Sequence, residues 1–464
     1  MNKTRPNIRQ NTIALMDKYF TGHSMDYKQI ISIIIPILVD QAFIILMSLL
    51  NTAMISSSGV AAVSAVSMVD SLNIFLINVF VAVATGGTVI VAQYKGSGNQ
   101  EMVSKAASHA VSAVAILSIL ISGFVIIFHN PALNLLFGNA DADVFQNAKI
   151  YLIGSCISYP FIAIFQAVSG ALRGVAETRA CLRLSLIMNL TFLGLNVLLI
   201  TFLDMGVIGL IISMILARVL GMVTSLIYLL RFNQTLRFKI KNALNIDFSM
   251  LKKIMFIGLP FAAEQMFFNG GKLLTQTFIV QLGTLAITAN AISGSIALVY
   301  QIGSQALSIA IVTVVGQCIG SKDIQDARKF IKSFLGLSTG FFIIGIVVLL
   351  PLFPLLMKLF SPPVEIISTV FSLTLFNAIA QPFLWSFSFI LPSALRAAGD
   401  SSFTSISSLL TMWLFRVILG YFLGITLNFG IMGVWVAMVA EWGIRSIIFI
   451  WRFRGNKWYA HKLI

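Results

Sequence analysis

Twelve stretches of this chain are too long and too apolar to be anything but membrane-crossing segments. They lie near residues 29–56, 60–94, 106–128, 147–172, 180–203, 205–230, 254–281, 284–317, 333–356, 366–394, 402–425 and 428–451. Each supplies the about 20 residues that a helix needs to span a bilayer. Composition agrees: 58% of the residues are hydrophobic and only 10% are charged, where a soluble domain carries about 25% charged residues to cover its surface. A water-soluble globule, a disordered chain and a secreted disulfide scaffold are thereby excluded. Cys156, Cys181 and Cys318 lie in or beside apolar stretches with no ligand-like spacing, so neither a disulfide framework nor a metal site is indicated.

The net charge of +15 follows from topology. If the N-terminus is cytoplasmic, 25 of the 31 Lys and Arg fall on that side, four lie within spans, and only Lys149 and Lys358 lie outside. That bias is the positive-inside rule, which predicts a multi-pass protein of the inner or plasma membrane with both termini cytoplasmic. No nucleic-acid partner is expected, because the basic residues follow the membrane face and form no recognition stripe. The stretch from Met1 to Lys28 is mixed polar and basic, and no cleavable signal is expected there.

The chain also repeats itself. Pro36-Ile-Leu-Val-Asp40-Gln41 opens the first span, and Pro260-Phe-Ala-Ala-Glu264-Gln265 opens the seventh, at an offset of 224 in the numbering. The same offset joins Gly59 to Gly283, Gln93 to Gln317, Gly96 to Gly320, Lys105 to Lys329, Gly206 to Gly430 and Gly209 to Gly433. Ala171-Leu172-Arg173 matches Ala394-Leu395-Arg396 at 223. Six spans per half is an even number, so both halves run the same way through the membrane. The expected fold is an all-α membrane protein of twelve helices, in two six-helix lobes related by a parallel pseudo-twofold repeat. The segments are a cytoplasmic N-terminal stretch (1–28), an N-lobe (29–231), a cytoplasmic linker (232–253), a C-lobe (254–452) and a basic tail (453–464).

Four acids lie well inside spans: Asp40, Asp70, Glu264 and Glu441. An ionised acid at a span centre costs about 2.5–3.5 kcal/mol on insertion scales, so it faces a cavity or a partner. Asp40 and Glu264 are repeat-equivalent and follow a helix proline by four positions. Pro36 and Pro260 each remove a backbone hydrogen bond and free a carbonyl, and a carboxylate beside a free carbonyl can hold H+ or Na+. Glu441, with Arg445 one helical turn on and Arg416 on the preceding span, reads as an ion pair. The stripe Asp40, Ile44, Ser48, Asn51 shares one helix face and is a candidate lining. Its repeat mate is Glu264, Phe268, Lys272, Thr275, where Lys272 can pair with an acid and lower the negative charge of that half. Gln41, Gln265, Asn290, Asn377 and Gln381 are further polar candidates within spans, with helix-packing contacts as the competing role.

Soluble-enzyme chemistry is not visible. There is no G-x-x-x-x-G-K-[ST] phosphate loop and no H-E-x-x-H, and Gly96-Ser97-Gly98 reads as a turn. No cofactor is expected beyond a coupling ion. The leading reading is a secondary transporter working as a monomer. A lipid-linked oligosaccharide flippase is the alternative, and it should carry a more basic cavity than the acidic candidates here suggest. A membrane-embedded enzyme or a channel is the alternative from another class.

The motifs resemble the multidrug and toxic compound extrusion (MATE) family over the whole chain. They are the prolines of spans 1 and 7; the G-Q-x-x-G element at Gly316-Gln317-Cys318-Ile319-Gly320, degenerate at Ala92-Gln93-Tyr94-Lys95-Gly96; the Ala-Leu-Arg motifs at Arg173 and Arg396; and the glycine turns before spans 6 and 12. The resemblance implies export of organic, often cationic drugs driven by inward H+ or Na+. Arg173 and Arg396 end equivalent spans at the cytoplasmic face, where they can bond helix carbonyls or acids such as Glu177 and Asp400, and a structural or gating role is expected of them and of Pro36, Pro260, Gln317 and Gly320. Many relatives carry an acid late in span 1, where this chain reads Leu50-Asn51-Thr52; Asp40, on the same face, then takes over. The family also often has an acid at a position after the span-7 proline where Phe268 stands here.

A cysteine introduced at Lys241, in the predicted cytoplasmic linker, should react with a membrane-impermeant maleimide in everted vesicles and not in intact cells. Labelling of intact cells would reverse the orientation.

Overall fold

The computed structural model describes residues 8–55, 60–137, 141–245, 247–461 and 463–464. In chain order the helices are α1 (Ile8–Phe20), α2 (Tyr27–Ile55), α3 (Val60–Gly96), α4 (Gln100–Ile127), α5 (His129–Phe137), α6 (Ala142–Gly174), α7 (Thr178–Asn196), α8 (Gly206–Ile227) and α9 (Ile240–Leu244). The second half continues with α10 (Phe248–Gln281), α11 (Thr284–Gly320), α12 (Ile324–Leu349), α13 (Phe353–Phe360), α14 (Val364–Trp385), α15 (Leu391–Ala397), α16 (Ser401–Thr411) and α17 (Gly430–Arg454). No strand occurs among the described residues. Among the described residues, eleven segments are long and apolar enough to cross a membrane. The remaining span, seventh in order, is α10, which carries Lys252, Lys253, Glu264 and Lys272.

The repeat seen in sequence sets the element boundaries. The starts of α3 and α11, α4 and α12, α5 and α13, and α8 and α17 are separated by the same offset that joins Pro36 to Pro260. The local chemistry repeats with them. Asn99 caps α4 by accepting from the Met102 amide at 3.2 Å, and Asp323 caps α12 by accepting from the Asp326 amide at 2.9 Å. Gly206 and Gly430 start α8 and α17 with φ of 54° and 59°, a left-handed backbone that glycine adopts without strain.

The chain divides into two compact units whose boundaries fall inside α2 and α10, not in the polar linker. One unit joins Met1–Leu38 to Phe267–Ile464 and is called here the C-terminal unit; the other, Val39–Met266, is the N-terminal unit. In the N-terminal unit α6 packs on α3, α4 and α8. Small residues make the approach close. A Cβ on Gly170 would lie 2.7 Å from Thr88 Oγ1, and one on Gly154 would lie 2.4 Å from Ile211. In the C-terminal unit α11 packs on α12, α14 and α15, while α17 packs on α14 and on the π-helical turns Met412–Leu419 and Phe422–Thr426.

The segments that lead into the two proline helices are strapped down at repeat-equivalent positions. Within the C-terminal unit, buried Asp326 accepts from the Ser24 amide at 2.7 Å and hydroxyl at 2.8 Å, Lys329 donates to the Thr21 carbonyl at 2.5 Å, and Ser333 donates to the Tyr19 carbonyl at 2.6 Å. Within the N-terminal unit, Lys105 pairs with Asp247 at 2.7 Å and the His109 ring meets the Asn245 carbonyl at 3.1 Å. The Lys105 ammonium, with amide bonds from Ser249 and Met250, holds the Asp247 carboxyl below the usual carboxylate range.

Gly86 of α3 faces α10 so closely that a Cβ would lie 2.5 Å from the Ile254 carbonyl oxygen and 2.9 Å from the Gly258 nitrogen. Both are backbone atoms and cannot swing aside. Gly86→Ala should therefore cost about 1–3 kcal/mol by overpacking, read as a lowered Tm of the purified protein in detergent. Gly294→Ala, which meets nothing within 4 Å, should leave Tm unchanged.

Candidate functional site in the N-terminal unit

The N-terminal unit encloses a cavity of about 390 Å³. Its apolar walls combine aliphatic side chains such as Ile44, Val66 and Ile162 with Met47, Met188, Met214 and Phe192, and its polar groups are Ser48, Ser67, Asp70, Tyr151, Gln166, Asn189 and Arg218. Methionines adapt to ligand shape, which suits a wall that accepts varied apolar bodies. Seven of the eighteen lining residues are polar, so a ligand can be oriented there by hydrogen bonds and charge.

Asp70 is the acid on this wall. Its Oδ1 accepts from Tyr151 Oη at 2.8 Å and from Asn73 Nδ2 at 3.1 Å. The network continues inward, because Asn73 also donates to Ser155 Oγ at 3.1 Å and accepts from Tyr159 Oη at 2.6 Å. Arg218 donates to Ser158 Oγ at 2.6 Å and lies within electrostatic reach of Asp70 and Tyr151. A carboxylate fixed by two donors and facing a cavity can attract a cationic group. The guanidinium across from it limits the net charge of the pocket.

The predicted α2 stripe is divided between two places. Ile44 and Ser48 line the cavity, and Asp40 does not. Asp40 is half-buried in the N-terminal unit, bonded by Ser185 with the Arg173 charge nearby, and its Oδ1 has no hydrogen-bond partner among the described residues. Asn51 lies in the last turns of α2, with its side chain outside the described residues. Gln41 is half-buried next to Asp40 in the chain. α2 runs on through buried Pro36, and α10 runs on through half-buried Pro260.

Glu264 is buried in the N-terminal unit beside half-buried Gln265. The remaining candidates lie in the C-terminal unit, save Arg173. Asn290 accepts from Trp435 Nε1 at 3.0 Å. Asn377 donates to Tyr300 Oη at 2.9 Å and accepts from Gln381 at 3.1 Å. Gln317 and Gly320 sit in the last turn of α11, where the Gln317 carbonyl accepts the Ser321 amide at 3.0 Å. Arg173 donates to the Ser169 carbonyl one turn earlier at 3.2 Å, and Arg396 is buried. Asp400 is held by Arg452 through two bonds of 2.6 and 3.0 Å, and Glu177 accepts from Asn233 Nδ2 at 2.5 Å. Glu441 is an ion pair, with Arg416 at 2.7 Å and Arg445 at 2.9 Å.

Sequence reasoning missed Arg218, Tyr151 and Tyr159. The signal for Arg218 was present, since a cation inside a spanning helix is as costly as an acid, but no acid lies at helical spacing from it as Glu441 does from Arg445. The tyrosines carried no such signal.

The comparisons with known proteins bear on the same segments. The MatE family profile matches residues 36–201 and 260–422, so its two copies begin at Pro36 and Pro260. Among similar proteins, the transporter YisQ of Bacillus subtilis (strain 168) is 27% identical, over 91% of this chain and 93% of its own. A probable multidrug resistance protein NorM of Thermotoga maritima is 24% identical, over 94% of each chain. Among solved structures, a multidrug resistance MATE family transporter in an outward-facing conformation superposes with a TM-score of 0.84 over 98% of each chain at 17% identity. The Vibrio cholerae MATE transporter VcmN, as a point mutant, gives 0.86 over 97% of this chain and 100% of that one at 18% identity.

Asp70→Asn removes the negative charge and keeps the side-chain shape. It should weaken binding of a fluorescent organic cation such as ethidium to the purified protein by about tenfold or more, the worth of one charged contact of about 1.5–3 kcal/mol. Fluorescence anisotropy measures this, with an unchanged Tm as the control for folding.

Proposed function

The chain belongs to the MatE family of transporters, and from that premise we propose that it exports small amphipathic, cationic organic compounds in exchange for inward-moving H+ or Na+. The observation that carries the reading is the carboxylate of Asp70 set in a cavity of the N-terminal unit whose apolar walls are aliphatic side chains, three methionines and Phe192. A cation with an apolar body is the ligand such a wall recognises.

Coupling needs a second property, a carboxylate that is charged when empty and neutralised when loaded. Asp40 has the right surroundings. It is half-buried in a spanning helix, with one hydroxyl partner and one carboxyl oxygen unclaimed among the described residues. The bare anion is costly there and binding of H+ or Na+ relieves that cost, so the loaded and empty states favour different packings. Glu264 is its repeat mate and the second coupling candidate. Pro36 and Pro260 bend the helices that carry these acids, and Arg173, Arg396, Gln317 and Gly320 close the ends of neighbouring spans as structural or gating elements.

In this reading both termini are cytoplasmic, the protein lies in the plasma membrane, and no cofactor beyond the coupling ion takes part. One copy of the chain suffices, because the cavity and both acids belong to it.

Uptake of a fluorescent cation into everted vesicles, driven first by a proton gradient and then by a Na+ gradient, tests the assignment. Asp40→Asn should abolish gradient-driven uptake with expression intact, and Glu264→Gln should impair it less. Unchanged uptake by Asp40→Asn under both gradients would move the coupling role to Asp70 and Glu264.

A further inference from the structure

The C-terminal unit holds a charge cluster with no counterpart in the first half of the chain. Three of the four cations that lie within spans gather around one aromatic ring. Lys272 Nζ is 4.8 Å from the centre of the Phe268 ring, Arg416 is 5.4 Å from it and Arg445 is 5.9 Å from it. Arg445 also lies 4.3 Å over Phe389, which stacks on Trp385 at 4.5 Å and meets Trp442 edge-on at 6.3 Å. One acid balances these charges, Glu441, and both arginines already contact it. Glu264 stands two helical turns before Lys272 on α10, about 12 Å along the axis. The charged groups acting on Lys272 are Arg416, Arg445 and Glu441.

Such an excess is expensive. Arg416, Arg445 and Glu441 are all at least nine-tenths buried, and uncompensated charge in a low-dielectric interior calls for a counter-ion. Lys272 differs in keeping surface in the helix packing and forms the edge of the cluster.

The internal repeat says what the place is for. In the register that joins Pro36 to Pro260, Phe268 corresponds to Ile44, Lys272 to Ser48 and Glu441 to Ala217. All three counterparts line the cavity of the N-terminal unit. The cluster therefore occupies the position that forms a cavity in the other half, and sets charged side chains where that half has uncharged ones. Arg416 sits on the π-helical turn Met412–Leu419, an irregularity that recurs at functional sites.

We propose that this cluster of Lys272, Arg416 and Arg445, walled by Phe268, Phe389 and Trp442, binds the carboxylate of an amphipathic aromatic substrate. The planar guanidinium groups and the aromatic walls suit an aryl carboxylate better than a bulky hydrated anion. The proposal deepens the exporter reading and rests on it: the exported compounds then include aromatic acids and zwitterions alongside simple cations.

The test is equilibrium binding of 2-naphthoate to the purified full chain, read by quenching of tryptophan fluorescence, with no gradient present. Failure of export in vesicles therefore leaves this result standing, and the two readings can fail separately. The neutral isostere 2-naphthylmethanol should bind at least about tenfold more weakly, the difference of one charged contact. Lys272→Gln, at an exposed position, should weaken naphthoate by about tenfold and leave naphthylmethanol unchanged, and Lys272→Arg should restore most of the affinity. Equal affinity for the two probes, or an unchanged affinity in Lys272→Gln, would overturn the proposal. Displacement of naphthoate by equimolar inorganic pyrophosphate would also overturn it, in favour of a phosphate-bearing ligand.

Discussion

A charged side chain inside a bilayer has to be accounted for, and the polar architecture of this protein follows from how each charge is met. Removing the water around an ion costs several kcal/mol unless hydrogen bonds or a counter-charge replace it. Asp70 is met by Tyr151 and Asn73, Arg218 by Ser158, Asp40 by Ser185, and Glu441 by Arg416 and Arg445. These bonds fix the helices that bear them, and they leave a different residue of charge in each unit. The N-terminal unit sets an acid and a guanidinium on one cavity wall. The C-terminal unit sets three cations around a single acid.

The backbone framework under this chemistry is repetitive. Matching caps at Asn99 and Asp323, matching glycine turns at Gly206 and Gly430, and matching straps onto α4 and α12 build the same scaffold twice. Function diverges in side chains laid on that scaffold, as Ser48 against Lys272 and Ala217 against Glu441 show. Duplication therefore supplied two equivalent positions, and substitution left them uncharged in one half and charged in the other.

Much of this was legible in sequence. Long apolar runs specify spanning helices, and Pro, Gln, Gly and Arg recurring in register specify a doubled unit, because those residues do not recur by composition alone. The Glu441 ion pair followed from its i,i+4 spacing to Arg445. The unit boundaries were not legible: they fall within α2 and α10, where the apolar sequence is continuous, and depend on which neighbours each half-helix packs against. The cavity was only half legible. Helical periodicity placed Ile44 and Ser48 on one lining face, but Tyr151 and Arg218 reach Asp70 from α6 and α8, a tertiary meeting that no local pattern encodes. Lys272 was read as a partner for an acid; packing sets it within reach of Glu441 and also beside two more cations.

The central claim is that movement of an organic compound by this chain is tied to movement of an ion. Proteoliposomes containing the purified protein, loaded with an imposed pH or Na+ gradient, test it directly when accumulation of a fluorescent cation is followed before and after an ionophore collapses that gradient. The account predicts accumulation against the concentration gradient that stops and reverses within the mixing time of the ionophore. Accumulation that continues unchanged after the ion gradient is gone, or flux that only ever runs downhill at the same rate with and without it, would contradict the account.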